Sequence, residues 1–88
     1  MFYVVNFEIK NPEREATFLN HLETSFQDEN RCMPNSFFIV SDLDKKALYN
    51  QLRKGLENED LLLVAEVKLP SIMGWLPASS VDWLAKKY

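Results

Sequence analysis

The alternation of polar and apolar positions begins with a strand. Over residues 2–9, Tyr3, Val5, Phe7 and Ile9 fall on one face, and Phe2, Val4, Asn6 and Glu8 on the other. The first set is wholly apolar and is expected to face helices. The second is half apolar, which predicts burial on both sides near the start of the strand and a central place in a sheet. The spacing then becomes helical. Asn11 reads as an N-cap and Pro12 as the first helical residue, with Glu13 and Glu15 in the first turn. Phe18, Leu19, Leu22 and Phe26 predict the buried stripe of a helix ending at about Gln27, with Ala16 at its margin. Asp28-Glu29-Asn30 reads as a polar turn after it.

Residues 31–35 predict a short edge strand and turn, because Pro34 suits an edge and not a central strand. Residues 36–41 predict a strand. Ser41 or Asp42 is expected to cap a second helix ending at about Lys54, with Ala47, Leu48 and Leu52 as its stripe and Gly55 as a left-handed terminator. Residues 57–60 predict an exposed turn. Residues 61–68 are apolar enough for a last strand covered on both faces, stopped by Pro70. Residues 71–77 read as irregular or as a short extra strand. Ser79 or Ser80 is expected to cap a final helix from about Val81 to Lys87.

The order β-α-β-β-α-β predicts an α+β, ferredoxin-like split β-α-β sandwich over residues 1–70. Residues 71–88 form a C-terminal docking tail of the same domain. The strands at 2–9 and 36–41 are expected to be central neighbours, with both helices on one sheet face.

Composition narrows the classes. The chain has 88 residues, 47% hydrophobic and 12% aromatic, enough for one domain with a real core. The net charge is −3, so no electrostatic footprint for nucleic acid is visible. Cys32 is the single cysteine, which excludes an intrachain disulfide and suggests a reducing cytoplasm. The first residues lack a basic region followed by a hydrophobic one, so no signal peptide is expected. No apolar stretch is long enough to span a bilayer, so no membrane partner is expected.

Few residues carry candidate chemistry. Glu8 is the carboxylate at the end of a central strand. Two symmetry-related copies could supply oxygen ligands for Mg²⁺, and the competing reading is a solvated or ion-paired strand-end residue. His21 is the sole histidine; it excludes a His/Cys zinc cluster within one chain, and it reads as a surface residue rather than a general base. Cys32 has no His or second Cys beside it in sequence, so a buried thiol is expected. Gly55 and Gly74 stand alone and make no phosphate loop. The Lys and Arg pairs at 45–46, 53–54 and 86–87 are interleaved with acids and read as solvated faces.

The tail carries more. Ile72, Met73, Trp75, Leu76, Trp83 and Leu84 place much apolar surface near two prolines, and each large side chain gains ~1.5–3 kcal/mol from burial. The tail is therefore expected to dock, either on its own sheet or on a second subunit. Phe2, Val4, Asn6, Met73, Trp75, Leu76 and Trp83 are the candidate interface residues.

Several short motifs resemble one family. The opening Phe-Tyr-Val-Val-Asn-Phe-Glu-Ile looks like the first strand of the small CRISPR-associated core protein Cas two and its SinR-like relatives. Residues 36–41 are similar to that family's Ser-aromatic strand, and Asp60-Leu61-Leu62-Leu63-Val64 resembles its entry to the last strand. Gly74-Trp75-Leu76 and Asp82-Trp83-Leu84 look like the Trp-Leu elements of the SinR-like branch. The resemblance implies a ferredoxin-like homodimer. It also implies a metal-binding Asp at the end of the first strand, where this chain has Glu8, one methylene longer.

Residues and resemblance together lead to a small non-catalytic homodimeric accessory module that binds protein and needs no cofactor. A mobile-element, phage-defence or toxin–antitoxin setting follows from the resemblance alone. The alternative is a Mg²⁺-dependent endonuclease, acting on RNA or DNA, with paired Glu8 carboxylates at a dimer interface. A small-ligand regulatory domain is a third reading, with no polar pocket to name.

Overall fold

The computed structural model describes residues 1–87; the last residue of the expected tail, Tyr88, lies outside them. The elements are β1 (Phe2–Glu8), α1 (Pro12–Ser25), β2 (Glu29–Met33), β3 (Ser36–Val40), α2 (Lys45–Arg53), β4 (Leu61–Glu66), a 3₁₀ turn (Leu69–Ser71) and α3 (Ala78–Ala85). The four strands form one antiparallel sheet in the order β2-β3-β1-β4. Each helical crossover therefore spans one strand, which is the split β-α-β arrangement of a ferredoxin-like α+β fold. β1 and β3 are the central neighbours, with Tyr3 opposite Ile39 and Val5 opposite Phe37.

The helix face of the sheet is the main core. Tyr3, Val5, Phe7 and Ile9 meet Phe18, Leu22 and Phe26 from the α1 segment and Leu48 and Leu52 from α2. The alternation in β1 dictates this set, because its odd residues are all apolar. Asn11 caps α1, its side chain accepting from the Arg14 N–H at 3.0 Å. That helix ends at Ser25, two residues short of expectation. Phe26 leaves it in an extended conformation, with φ −123° and ψ 122°, yet stays in the core.

Once the chain is extended at Phe26, pairing with β3 starts early. The Val40 N–H donates to the Asp28 carbonyl at 2.9 Å, so Glu29 and Asn30 belong to β2 and not to a turn. α2 begins later than expected. Asp44, not Ser41 or Asp42, is its N-cap and accepts from the Ala47 N–H at 2.8 Å. The buried Tyr3 hydroxyl donates to the Leu43 carbonyl at 2.7 Å, which holds residues 41–44 outside the helix. Gly55, at φ +84°, takes the left-handed conformation just past the end of α2.

Two expectations about the C-terminal third change. β4 is an edge strand, and only its Leu62/Val64 side packs on the core; Leu61 and Leu63 stay exposed on the opposite face. α3 begins at Ala78 because the Pro77 carbonyl accepts from both the Ser80 and Val81 N–H groups. Ser79 and Ser80 are thus inside the helix and cap nothing. Ser80 faces the sheet, fully buried, and its hydroxyl has no hydrogen-bond partner among the described residues.

Candidate functional site

The even residues of β1 define the second sheet face, and the chain's own tail covers part of it. Phe2, Phe38, Cys32 and Leu84 form a second buried cluster, with Val4, Val40, Val67, Leu76 and Trp83 packed against it. Trp83 stacks on Phe38, ring centroids 6.0 Å apart and planes 6° from parallel, and lies 5.9 Å from the Phe2 ring. Lys87 clamps the end of α3. Its Nζ sits 5.0 Å over the Trp83 ring and 2.6 Å from the Asp28 carboxylate. The helical spacing of Ser80 and Leu84, with Lys87 in the turn just past the helix, brings this face of α3 onto β2.

This packing redistributes the expected interface residues. Phe2 is buried within its own chain, and Val4, Leu76 and Trp83 are half-buried there. Asn6 lies beyond the tail, exposed, with its Oδ1 accepting from the Ser36 hydroxyl. Met73 and Trp75 are left in water, at 99% and 101% of full exposure. They sit on the irregular segment between the 3₁₀ turn and α3, while Leu76 of that segment and Trp83 of α3 are spent on the sheet. Leu61 and Leu63 add an exposed apolar pair at the uncovered end of the same face, opposite Glu8 and Asn6 respectively.

Glu8 does stand at the end of β1, where the alternation places it. Its carboxylate pairs with Lys10 Nζ at 3.0 Å on an exposed surface. Among the described residues no three His, Cys, Asp or Glu side chains group in a way that could hold a metal. His21 is half-buried and links the two helices. Because a carbonyl only accepts, its Nε2 donates to Gln51 O at 3.2 Å, and its Nδ1 accepts from Ser25 Oγ at 3.3 Å. Cys32 is buried, and that burial pushes its thiol pKa up, away from a reactive thiolate.

The strongest electrostatic constellation escaped the sequence pattern. Asp60 sits at the entry to β4 with its side chain fully buried, and Arg14 of α1 grips both of its oxygens at 2.6 and 2.8 Å. The Lys10 and Glu57 N–H groups also donate to it. The Arg14 guanidinium beside Asp60 holds its carboxyl well below the usual carboxylate range. Arg14 also reaches Glu59 at 2.9 Å. Every lone pair has a donor and the pair is closed to solvent on the Asp60 side, so its chemistry is structural: it locks the start of β4 to α1. Glu29, on β2, has the opposite problem. Burial first, then the charges of Glu23 and Asp28, raise its pKa.

No family model and no curated protein matches the sequence. The structure is similar to the crystal structure of a hypothetical protein, TT1823, from Thermus thermophilus, with a TM-score of 0.59 and 23% identity over 86% of this chain and 93% of that one. At that identity the likeness shows the ferredoxin-like fold and no activity. No helix among the described residues is long and apolar enough to cross a membrane.

Proposed function

We propose that this chain is a small non-catalytic accessory module that works as a homodimer and offers the Met73–Trp75 loop to a protein partner. The carrying observation is the pair of large side chains, Met73 and Trp75, held wholly in water by a tail that is otherwise docked. Tryptophan concentrates binding energy when a partner encloses it. Leu61 and Leu63, more than half exposed, extend the apolar surface available for self-association. A cytoplasmic location is supported by the lone, buried Cys32. The mobile-element, phage-defence or toxin–antitoxin setting rests on the resemblance to the Cas two and SinR-like family. The Glu8 nuclease gains no support from the site, because Glu8 pairs with Lys10.

Light scattering of the intact chain at micromolar concentration tests the reading. A mass near twice 10.3 kDa is expected, and a monomer rejects it. Cleavage of RNA or DNA in Mg²⁺ that disappears in Glu8→Ala would overturn the non-catalytic assignment.

A further inference from the structure

The two edges of the sheet are built differently. β2 carries Glu29 and Arg31, an irregular register between Arg31 and Met33, and Pro34 just beyond its end. These are the features that discourage another strand from adding. β4 reads Leu-Leu-Leu-Val-Ala before its first charge at Glu66, in regular register with β1, and no strand among the described residues pairs with its outer side. From this contrast we infer that a second copy of the chain adds along β4, antiparallel about a two-fold axis at Val64, to make one continuous eight-stranded sheet.

The backbone sets the register. The Val67 N–H donates inward to the Phe2 carbonyl at 2.9 Å, so odd residues of β4 point their backbone at β1. Leu62, Val64 and Glu66 therefore point theirs outward. A two-fold axis at Val64 sets Val64 against Val64, and Leu62 against Glu66 twice. All three outward residues of each copy are then paired. Side chains fit as well. Leu63 gains Ala65 of the second copy as its neighbour, and Leu61 gains Val67, on the face where both leucines are exposed. At the ends, exposed Lys68 comes beside exposed Glu59 of the second copy. An axis at Leu63 instead sets Asp60 against Glu66, and because the Asp60 N–H already donates to the Glu57 carbonyl, the Glu66 carbonyl would find no donor there. Hydrogen bonding thus favours Val64. This arrangement rests on the homodimer proposed above and names its interface. It also holds the two Glu8 residues about 25 Å apart, three strand spacings across and six residues along, too far to share a metal.

Amide exchange and sedimentation on the intact chain, followed across concentration, test it. The Leu62, Val64 and Glu66 amides are expected to gain protection as the mass rises to twice 10.3 kDa. Leu63→Lys, at an exposed position, should abolish both without changing the circular dichroism. Oxidation gives a second readout. Val64→Cys should cross-link to itself, since directly opposed bonded residues lie ~5.5 Å apart, and Leu63→Cys should not, at about 8 Å. A dimer with unprotected β4 amides, or one that cross-links through Leu63→Cys and not Val64→Cys, overturns this interface while leaving the homodimer standing. A monomer at all concentrations overturns both. So does a monomer whose β4 amides are protected only by an extended peptide of another protein.

Discussion

The two faces of the sheet solve the same problem unequally. On the helix face, Tyr3, Val5, Phe37, Ile39, Leu48 and Leu52 are all fully buried beneath two side-chain-capped helices. On the tail face the buried cluster is smaller, Phe2, Cys32, Phe38 and Leu84, and none of the four is fully buried. The helix over them has eight residues, no side-chain cap and an unpartnered serine hydroxyl at its contact. An eight-residue helix has little stability of its own and depends on its packing. The helix face is therefore expected to carry global stability. The tail face is expected to open first, and the proposed dimer uses the uncovered strand beside it.

The largest test of that inequality is Phe37→Ala on the helix face, expected to cost about 4 kcal/mol in urea unfolding. A loss under about 1 kcal/mol would deny the helix face its dominant role. Asp60→Asn comes next. It leaves Arg14 facing an amide at a buried site, and Tm should fall on the order of 10 °C. Its pH signature has a definite sign. A carboxyl held below its ordinary range adds stability that is complete above about pH 4 and fades as the pH falls from there. Acid titration of stability should flatten below pH 4 in Asp60→Asn; an unchanged titration removes Asp60 as its source.

Trp83→Ala should cost about 2 kcal/mol, less than a core aromatic, because the ring is only half-buried. The more telling result is where the loss falls. Amides of α3 should exchange quickly while those of β1 and β3 stay protected, and uniform loss of protection would show that the faces unfold as one. The smallest effect is Ser80→Ala. Removing a buried hydroxyl with no partner among the described residues should be neutral or gain up to about 1 kcal/mol. A clear destabilisation would mean that the hydroxyl has a partner in solution.

The fold was legible because β1 alternates cleanly and the α1 stripe follows a clear helical spacing. Asn11-Pro12 and Gly55 punctuate the helices as their backbone chemistry requires. The Arg14–Asp60 lock was not legible, since nothing local links residues 46 apart in sequence. β4 misled because three consecutive leucines look alike whether both faces or one are covered. Only the order of strands shows that Leu61 and Leu63 lie at an edge. Ser79 and Ser80 look like caps, and Pro77 supplies the carbonyl that starts α3 before them. For the candidate site, the tryptophans announced a docked tail. Their spacing did not divide Trp83, stacked on Phe38, from Trp75, left in water.

The central claim is a division of labour: the tail packs within its own chain, and association runs along β4. An isotope-filtered NOE spectrum on an equal mixture of labelled and unlabelled chains tests both halves at once. The account predicts contacts between chains from Leu63 to Ala65 and none from Trp83 to Phe38. Trp83–Phe38 contacts appearing between chains would contradict it.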